Sequence, residues 1–290
     1  MDPTASEGAT SPETLYLDLL KKCLTRCAFP EPFQAVESPG RIPWWPLSAK
    51  IRWGLYAQMR KWLASRQLVL VYRMSFDPDR PGEGRDWPLE AETMIGLKRL
   101  DNLQYCITDV LRRRVPGDLI ETGVWRGGAT IFMRAVLKVY GDTERIVWAS
   151  DSFRGLPKPD SERYPADAGD LLWTQTRLAV SLEEVKANFA RYGLLDEQVR
   201  FLVGWFRDTL PSAPIDKLAV LRLDGDLYES TMDALRYLYP KLSVGGYVII
   251  DDYGGVPACR AAVEDFRAKN GITEEAKRID YTGVFWRRQG

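Results

Sequence analysis

Apolar positions along this chain of 290 residues follow two rhythms. The first has the period of a helix face. Apolar residues recur at 15, 16, 19, 20, 23, 24 and 27, which predicts a helix from Pro12 to about Ala28. Leu47 to about Ser65 repeats the spacing with Trp and Arg interleaved, predicting a second amphipathic helix. Pro30 and Pro32 break the first helix, and 29–46, dense in proline and tryptophan, reads as a loop without regular structure. Gln67–Arg73 suits a short strand or an extension of the second helix equally, and 75–88 is a loop by composition. Leu89–Leu100, with Met94 and Ile95 near its middle, and Leu103–Arg114 follow as two further helices. Pro116 and Gly117 stop the latter.

From there the second rhythm takes over, short apolar runs alternating with helical patterns. Strands are predicted at 118–122, 145–150, 199–203, 218–223 and 246–250, with a closing antiparallel pair near 275–280 and 283–287. Helices are predicted at 128–140, 181–192, 229–241 and 257–269. This alternation implies an α/β fold with a doubly wound, mostly parallel sheet. The chain divides into an N-terminal helical and Pro/Trp-rich extension over 1–88 and an α/β domain over 89–290. The first eleven residues are polar and expected to be disordered.

Ligands of such a sheet bind beyond the carboxyl ends of its strands. The first strand ends in Glu121-Thr122-Gly123-Val124-Trp125-Arg126-Gly127-Gly128, a turn that lets a ligand approach the backbone. It is neither a GxGxxG fingerprint nor a P-loop, and an acid at 121 suits a cationic or hydroxylated ligand better than a pyrophosphate. Alone, it also suits a plain tight turn. The second strand ends in Asp151, placed to accept hydrogen bonds from ribose hydroxyls, or else to cap a turn. The third ends in Gly204-Trp205, where the indole flanks an adenine or fills the core with equal ease.

The fourth and fifth strands both run into acid: Leu218–Leu223 into Asp224-Gly225-Asp226, and Tyr247–Ile250 into Asp251-Asp252. Carboxylates at that density repel unless something positive sits among them, and a hard divalent cation such as Mg²⁺ is the natural candidate. Asp224, Asp251 and Asp252 can supply its oxygen ligands, while Asp226 can face a substrate as a general base. Helix and turn capping accounts for one or two such acids, not for the whole set with Glu229.

Composition narrows the chemistry. The chain has no histidine, which removes Ser–His and Cys–His hydrolases and His-ligated metal centres, and leaves a carboxylate, Lys, Tyr or Cys as base. Lys plus Arg and Asp plus Glu number 40 each, so nothing asks for nucleic acid or an anionic membrane as partner. No run spans a membrane and no signal peptide is visible, so a cytoplasmic location is expected. Cys23, Cys27, Cys106 and Cys259 have no disulfide or zinc-ribbon spacing, and Cys23 and Cys27 read as small core residues.

Several motifs together resemble the macrocin O-methyltransferase family of antibiotic-sugar methyltransferases. They are Thr14–Thr25, Thr93–Gln104, Asp118–Gly128, Asp151–Pro157, and Leu223–Ser230 with Ile250–Tyr253. The resemblance implies a class I methyltransferase fold, S-adenosylmethionine and Mg²⁺ as cofactors, and methylation of a sugar hydroxyl on a glycosylated small molecule by in-line SN2 transfer. It implies Asp224, Asp251 and Asp252 as metal ligands and Asp226 as base. Donor contacts are then expected from Met94, Glu121, Gly123, Trp125, Gly127, Gly128, Asp151 and Ser152, with Gly204 and Trp205 at the third strand end. It also implies a homodimer or larger homo-oligomer. The 29–88 segment is longer than in compact members and is expected to shape a lid, acceptor pocket or oligomer contact. Asp224-Gly225-Asp226 is also a DxD, so a metal-dependent glycosyltransferase is the alternative, though no phosphate cradle accompanies it. A non-catalytic subunit of the same fold would have no need of the acid set.

Overall fold

A computed structural model describes residues 11–29, 33–36, 49–73, 80–85 and 90–290. The tail over 1–10, residues 37–48 of the proline-rich loop and much of the 75–88 loop lie outside the described residues. The chain runs α1 (Pro12–Leu24), β1 (Phe33–Ala35), α2 (Ala49–Ala64), β2 (Val71–Arg73), α3 (Arg80–Glu83), α4 (Leu97–Arg112), β3 (Asp118–Thr122) and α5 (Gly128–Val139). It continues β4 (Val147–Asp151), α6 (Leu182–Arg191), β5 (Val199–Val203), α7 (Phe206–Thr209), β6 (Leu218–Leu223), α8 (Tyr228–Leu238), β7 (Leu242–Ile250), α9 (Pro257–Lys269), β8 (Lys277–Arg278) and β9 (Val284–Arg287).

Seven strands form one sheet in the order β5-β4-β3-β6-β7-β9-β8. β3 to β7 are mutually parallel, and β9 closes the edge antiparallel to β7. The chain winds outward from β3 through β4 to β5, then returns to the other side of β3 as β6. The switch point therefore lies between β3 and β6, where an open α/β sheet leaves a crevice at its carboxyl edge. α4, α5 and α6 cover one face and α8 and α9 the other, each layer with its own apolar core. Strands buried on both faces explain why β6, broken only by Arg222, and the Tyr247–Ile250 part of β7 read as apolar runs.

Four expectations change. The 89–114 region is not two helices: α4 begins only at Leu97, and 90–96 is irregular. The cause is tertiary, since Glu92 gives its amide to Leu24 and its carbonyl to Gly128, leaving neither for a helix. In the proline-rich loop, Phe33–Ala35 forms β1 and pairs antiparallel with β2, which settles Gln67–Arg73 as containing a strand. Residues 80–83 form the short α3 within the 75–88 loop. β7 starts at Leu242 rather than 246, because a register shift at the β6–β7 ladder absorbs Gly245 and Gly246.

α1 covers α5, which explains why nearly all of α5 is buried. Leu17, Leu20 and Leu24 do the covering, each worth roughly 1.5–3 kcal/mol of burial. Lys21 beside them is buried too, its ammonium held 2.6 Å from Asp101. Leu15, Tyr16 and Leu19, part of the apolar stripe in the sequence, are exposed instead.

At the switch point β3 and β6 approach closely. Gly123 has φ +84°, and a Cβ there would overlap the Asp224 carbonyl oxygen. Gly123→Ala therefore combines left-handed strain with a backbone clash. It is expected to cost roughly 2–3 kcal/mol and lower Tm by about 5–10 °C in a thermal melt. An unchanged Tm would show that the two strand ends are not held together as described.

Candidate active site at the carboxyl edge of the sheet

The glycine turn after β3 carries three residues of positive φ, Gly123, Trp125 and Gly127. Asp151, at the end of β4, holds this turn from below. Its Oδ2 accepts from the Val124 amide at 2.8 Å and its Oδ1 from the Phe153 amide at 2.7 Å. Burial pushes its pKa up, against the pull of those amides. Its Oδ1 also accepts from the Ser152 hydroxyl at 3.4 Å.

Above these strand ends lies an open cleft. Of the residues singled out from sequence, Met94, Gly123, Trp125, Asp151, Ser152, Gly204 and Trp205 line it, with Asp224 and Asp226 at one end. Gly127 and Gly128 do not. A Cβ at Gly127 would meet Val185 and Phe189, and one at Gly128 would meet the Glu92 backbone, so both glycines serve close packing. Glu121 is buried and lines not this part of the cleft but the adjoining one over the acids; its carboxylate accepts from the Thr130 hydroxyl and the Arg222 guanidinium. Trp205 lines the cleft while also starting α7 as its N-cap residue.

The acids gather as the two strand ends require, but two cations already sit among them. Arg222, in the middle of β6, is 1% exposed and donates to Glu121, to Asp224 at 3.0 Å and to Asp251. Arg99, from the first turn of α4, donates to the other oxygen of Asp251, to Asp280 at 2.7 Å and to Thr282. Both arginines were missed from sequence. For Arg222 a signal existed, a charged residue inside an otherwise apolar run; for Arg99 none did.

Asp224, Asp251 and Asp252 still converge beyond this pairing. Their oxygens lie within 4.8 Å of one another. The Oδ2 atom of Asp252 is buried with no hydrogen-bond partner. A buried, unpartnered carboxylate oxygen facing two others is the donor set of a hard divalent cation, so these residues fit Mg²⁺. Asp226 stands in a turn with φ +56° and reaches the cleft as well. A second part of the cleft, lined by Met94, Leu172, Leu178 and Tyr281, opens over the same acids. It gives them one apolar wall opposite a charged floor.

Burial raises the pKa of Asp224, Asp226 and Asp252, and repulsion from neighbouring carboxylates adds to it. Asp226 is pushed up to about 8 by burial and then by Asp224 and Asp251. Asp224 rises to about 6 and Glu121 to about 7, in both cases chiefly through burial and in spite of Arg222. Burial drives Asp252 well above its ordinary value.

Comparison with known proteins places this geometry among relatives. The macrocin-O-methyltransferase (TylF) family model matches residues 13–288. An 8-demethyl-8-(2,3-dimethoxy-alpha-L-rhamnosyl)-tetracenomycin-C 4'-O-methyltransferase of Streptomyces olivaceus is 60% identical over 76% of this chain and 84% of its own length. A demethyldecarbamoylnovobiocin O-methyltransferase of Streptomyces niveus is 58% identical over 71% and 79%. A mycinamicin III 3''-O-methyltransferase of Micromonospora griseorubida is 53% identical over 76% and 87%. Among solved structures, the O-methyltransferase NovP superposes with a TM-score of 0.80 at 46% identity, covering 96% of this chain and 100% of that one.

The raised acids carry a stability signature. A carboxylic acid whose folded pKa exceeds its unfolded value, about 3.9 for Asp, stabilises the fold below that value and loses the contribution as pH climbs through the folded one. In EDTA, the thermal midpoint should fall as pH rises from about 6 to 8.5. Asp226→Asn should flatten the upper part of that fall. A midpoint flat across this range in the parent protein would contradict the buried cluster.

Proposed function

This chain belongs to the macrocin-O-methyltransferase family, and is a methyltransferase; we propose that it methylates a sugar hydroxyl of a glycosylated natural product, using S-adenosylmethionine and Mg²⁺. One observation carries the reading: Asp224, Asp251 and the unpartnered oxygen of Asp252 converge beside Asp226, in a cleft that the glycine turn also lines. Family membership sets aside the glycosyltransferase alternative. The relatives' names, which speak of a rhamnosyl tetracenomycin, a novobiocin precursor and mycinamicin III, support the acceptor class.

When bound, S-adenosylmethionine supplies an electrophilic methyl group, and Mg²⁺ supplies positive charge that favours loss of a hydroxyl proton. Asp151 and the Gly123 turn offer the donor acceptors and bare backbone, with no phosphate-binding cation needed. Asp224, Asp251 and Asp252 hold the cation, and Arg99 and Arg222 fix Asp251 from both oxygens. Asp226 accepts the proton of the attacking hydroxyl. Its affinity for that proton, near pH 8 in the metal-free protein and lower beside a cation, suits a base working at neutral pH. Leu172 and Leu178 exclude water from one side. Orientation of two substrates in such a cleft supplies up to roughly 7–11 kcal/mol, and the base adds roughly 10²–10⁴-fold. Assembly as a homo-oligomer through the N-terminal extension is part of the proposal, supported by the exposed Leu15, Leu19, Trp53 and Trp62.

Incubation with S-adenosylmethionine and a panel of three acceptors tests the reading. The panel is the rhamnosyl tetracenomycin, demethyldecarbamoylnovobiocin and mycinamicin III, and mass spectrometry is expected to find a singly methylated product with at least one of them. Asp226→Asn should retain S-adenosylmethionine binding by calorimetry while losing roughly 10²–10⁴-fold in turnover. EDTA should abolish turnover and Mg²⁺ restore it. Full activity in metal-free protein would remove the cation from the mechanism.

A further inference from the structure

α8 begins two residues after Asp226, and its start is not capped by its own sequence. The N-cap residue is Leu227, which offers no side-chain acceptor. Helix starts leave several amides without partners, and a local Ser, Thr, Asp or Asn normally serves them. Here the acceptor comes from 61 residues upstream. Asp167 closes a single 3₁₀ turn, Pro165–Asp167, and is 1% exposed. Its Oδ1 accepts from the Tyr228 amide at 2.6 Å and its Oδ2 from the Glu229 amide at 3.1 Å.

We propose that Asp167 is a positioning residue for Asp226, fixing the turn that carries the base by capping α8 from the strap that roofs the cleft. The proposal rests on the assignment of Asp226 as the base. Asp226 has φ +56°, a left-handed conformation that Asp tolerates better than most residues but that a surrounding turn must still select. The bidentate cap supplies that constraint within two residues. The strap between β4 and α6 is tied a second time, at the other end of the cleft. There the Arg177 carbonyl accepts from the Trp125 indole at 2.9 Å, on the glycine turn. Leu172, between the two ties, and Leu178, just past the second, line the cleft. One strap thus spans the donor turn and the base turn, and its anchor at the base is a buried carboxylate.

A cap that serves only helix stability would lower Tm and leave turnover alone. A positioning role makes a different demand. In the full chain with S-adenosylmethionine, Mg²⁺ and whichever panel acceptor the parent methylates, Asp167→Ala should lose roughly 10–100-fold in kcat, the effect of misplacing a reacting group by about an ångström. Calorimetric affinity for S-adenosylmethionine should stay within about threefold, since the residue lies at the base end of the cleft. Hydrogen exchange should show the Tyr228 and Glu229 amides losing protection. Asp167→Asn keeps one carbonyl acceptor of the two and should recover most but not all of the loss, to a kcat about two- to fivefold below the parent's. Lost protection with kcat unchanged in Asp167→Ala overturns the proposal. Should that variant not fold, Asp167→Asn decides, and a kcat equal to the parent's overturns it. Asp226→Asn is run alongside. If it keeps full activity, the base assignment itself fails. If it is inactive while Asp167→Ala is fully active, only the positioning role fails.

Discussion

The carboxyl edge of this sheet depends on the guanidinium of Arg222. Taking that charge out of water in the middle of β6 costs several kcal/mol, and only well-placed acids offset it. Glu121 from β3, Asp224 from the end of its own strand and Asp251 from β7 do so at once. Arg99 extends the same network by sharing Asp251 and adding Asp280 from the turn before β9. Three parallel strands, the first turn of α4 and the closing hairpin are therefore joined by one buried set of ion pairs. Removing a single partner from such a set leaves an uncompensated charge, a loss of about 3–5 kcal/mol.

This network has a chemical consequence as well as a structural one. It neutralises part of the acid charge, so the carboxylates at this edge are held in place rather than forced apart. It also fixes both oxygens of Asp251, while Asp252 keeps one oxygen unpartnered. Preorganised charge in a dry cleft interacts more strongly than the same charge in water. The glycine turn contributes the other half of the geometry. Because Gly123 has no Cβ, the ends of β3 and β6 close to backbone contact, which brings the glycine turn and the acids within one cleft.

Legibility along the chain followed burial. β3, β6 and the helix α9 have in the structure the bounds that their pattern predicts, because a strand buried on both faces or a helix between two breakers carries its signal locally; β5, at the sheet edge and only partly buried, keeps its bounds through its β-branched and aromatic run. The 89–100 stretch misled for the opposite reason. Its apolar residues have helical spacing, but its backbone bonds go to Leu24 and Gly128, which no local pattern announces. Phe33–Ala35 became a strand only by pairing with Val71–Arg73, in a segment whose prolines argue for loop. The α1 stripe shows the same limit at side-chain level, since Leu17 is buried and Leu15 and Leu19 are not.

By itself the sequence determined the alternation of strands and helices, and with it the edge at which two acid pairs, a glycine turn and Asp151 must meet. The absence of histidine further confined the base to a few residue types. Only the tertiary structure decided what those groups touch. It turned Glu121 toward Arg222, put Gly127 and Gly128 into packing, and gave α8 a cap from 61 residues away. It also brought Arg99 to Asp280 across 181 residues. Hydrophobic period is a local property of the chain and survives in its order. Charge pairing and capping are contacts between distant segments, fixed only when the sheet and its helices close around them.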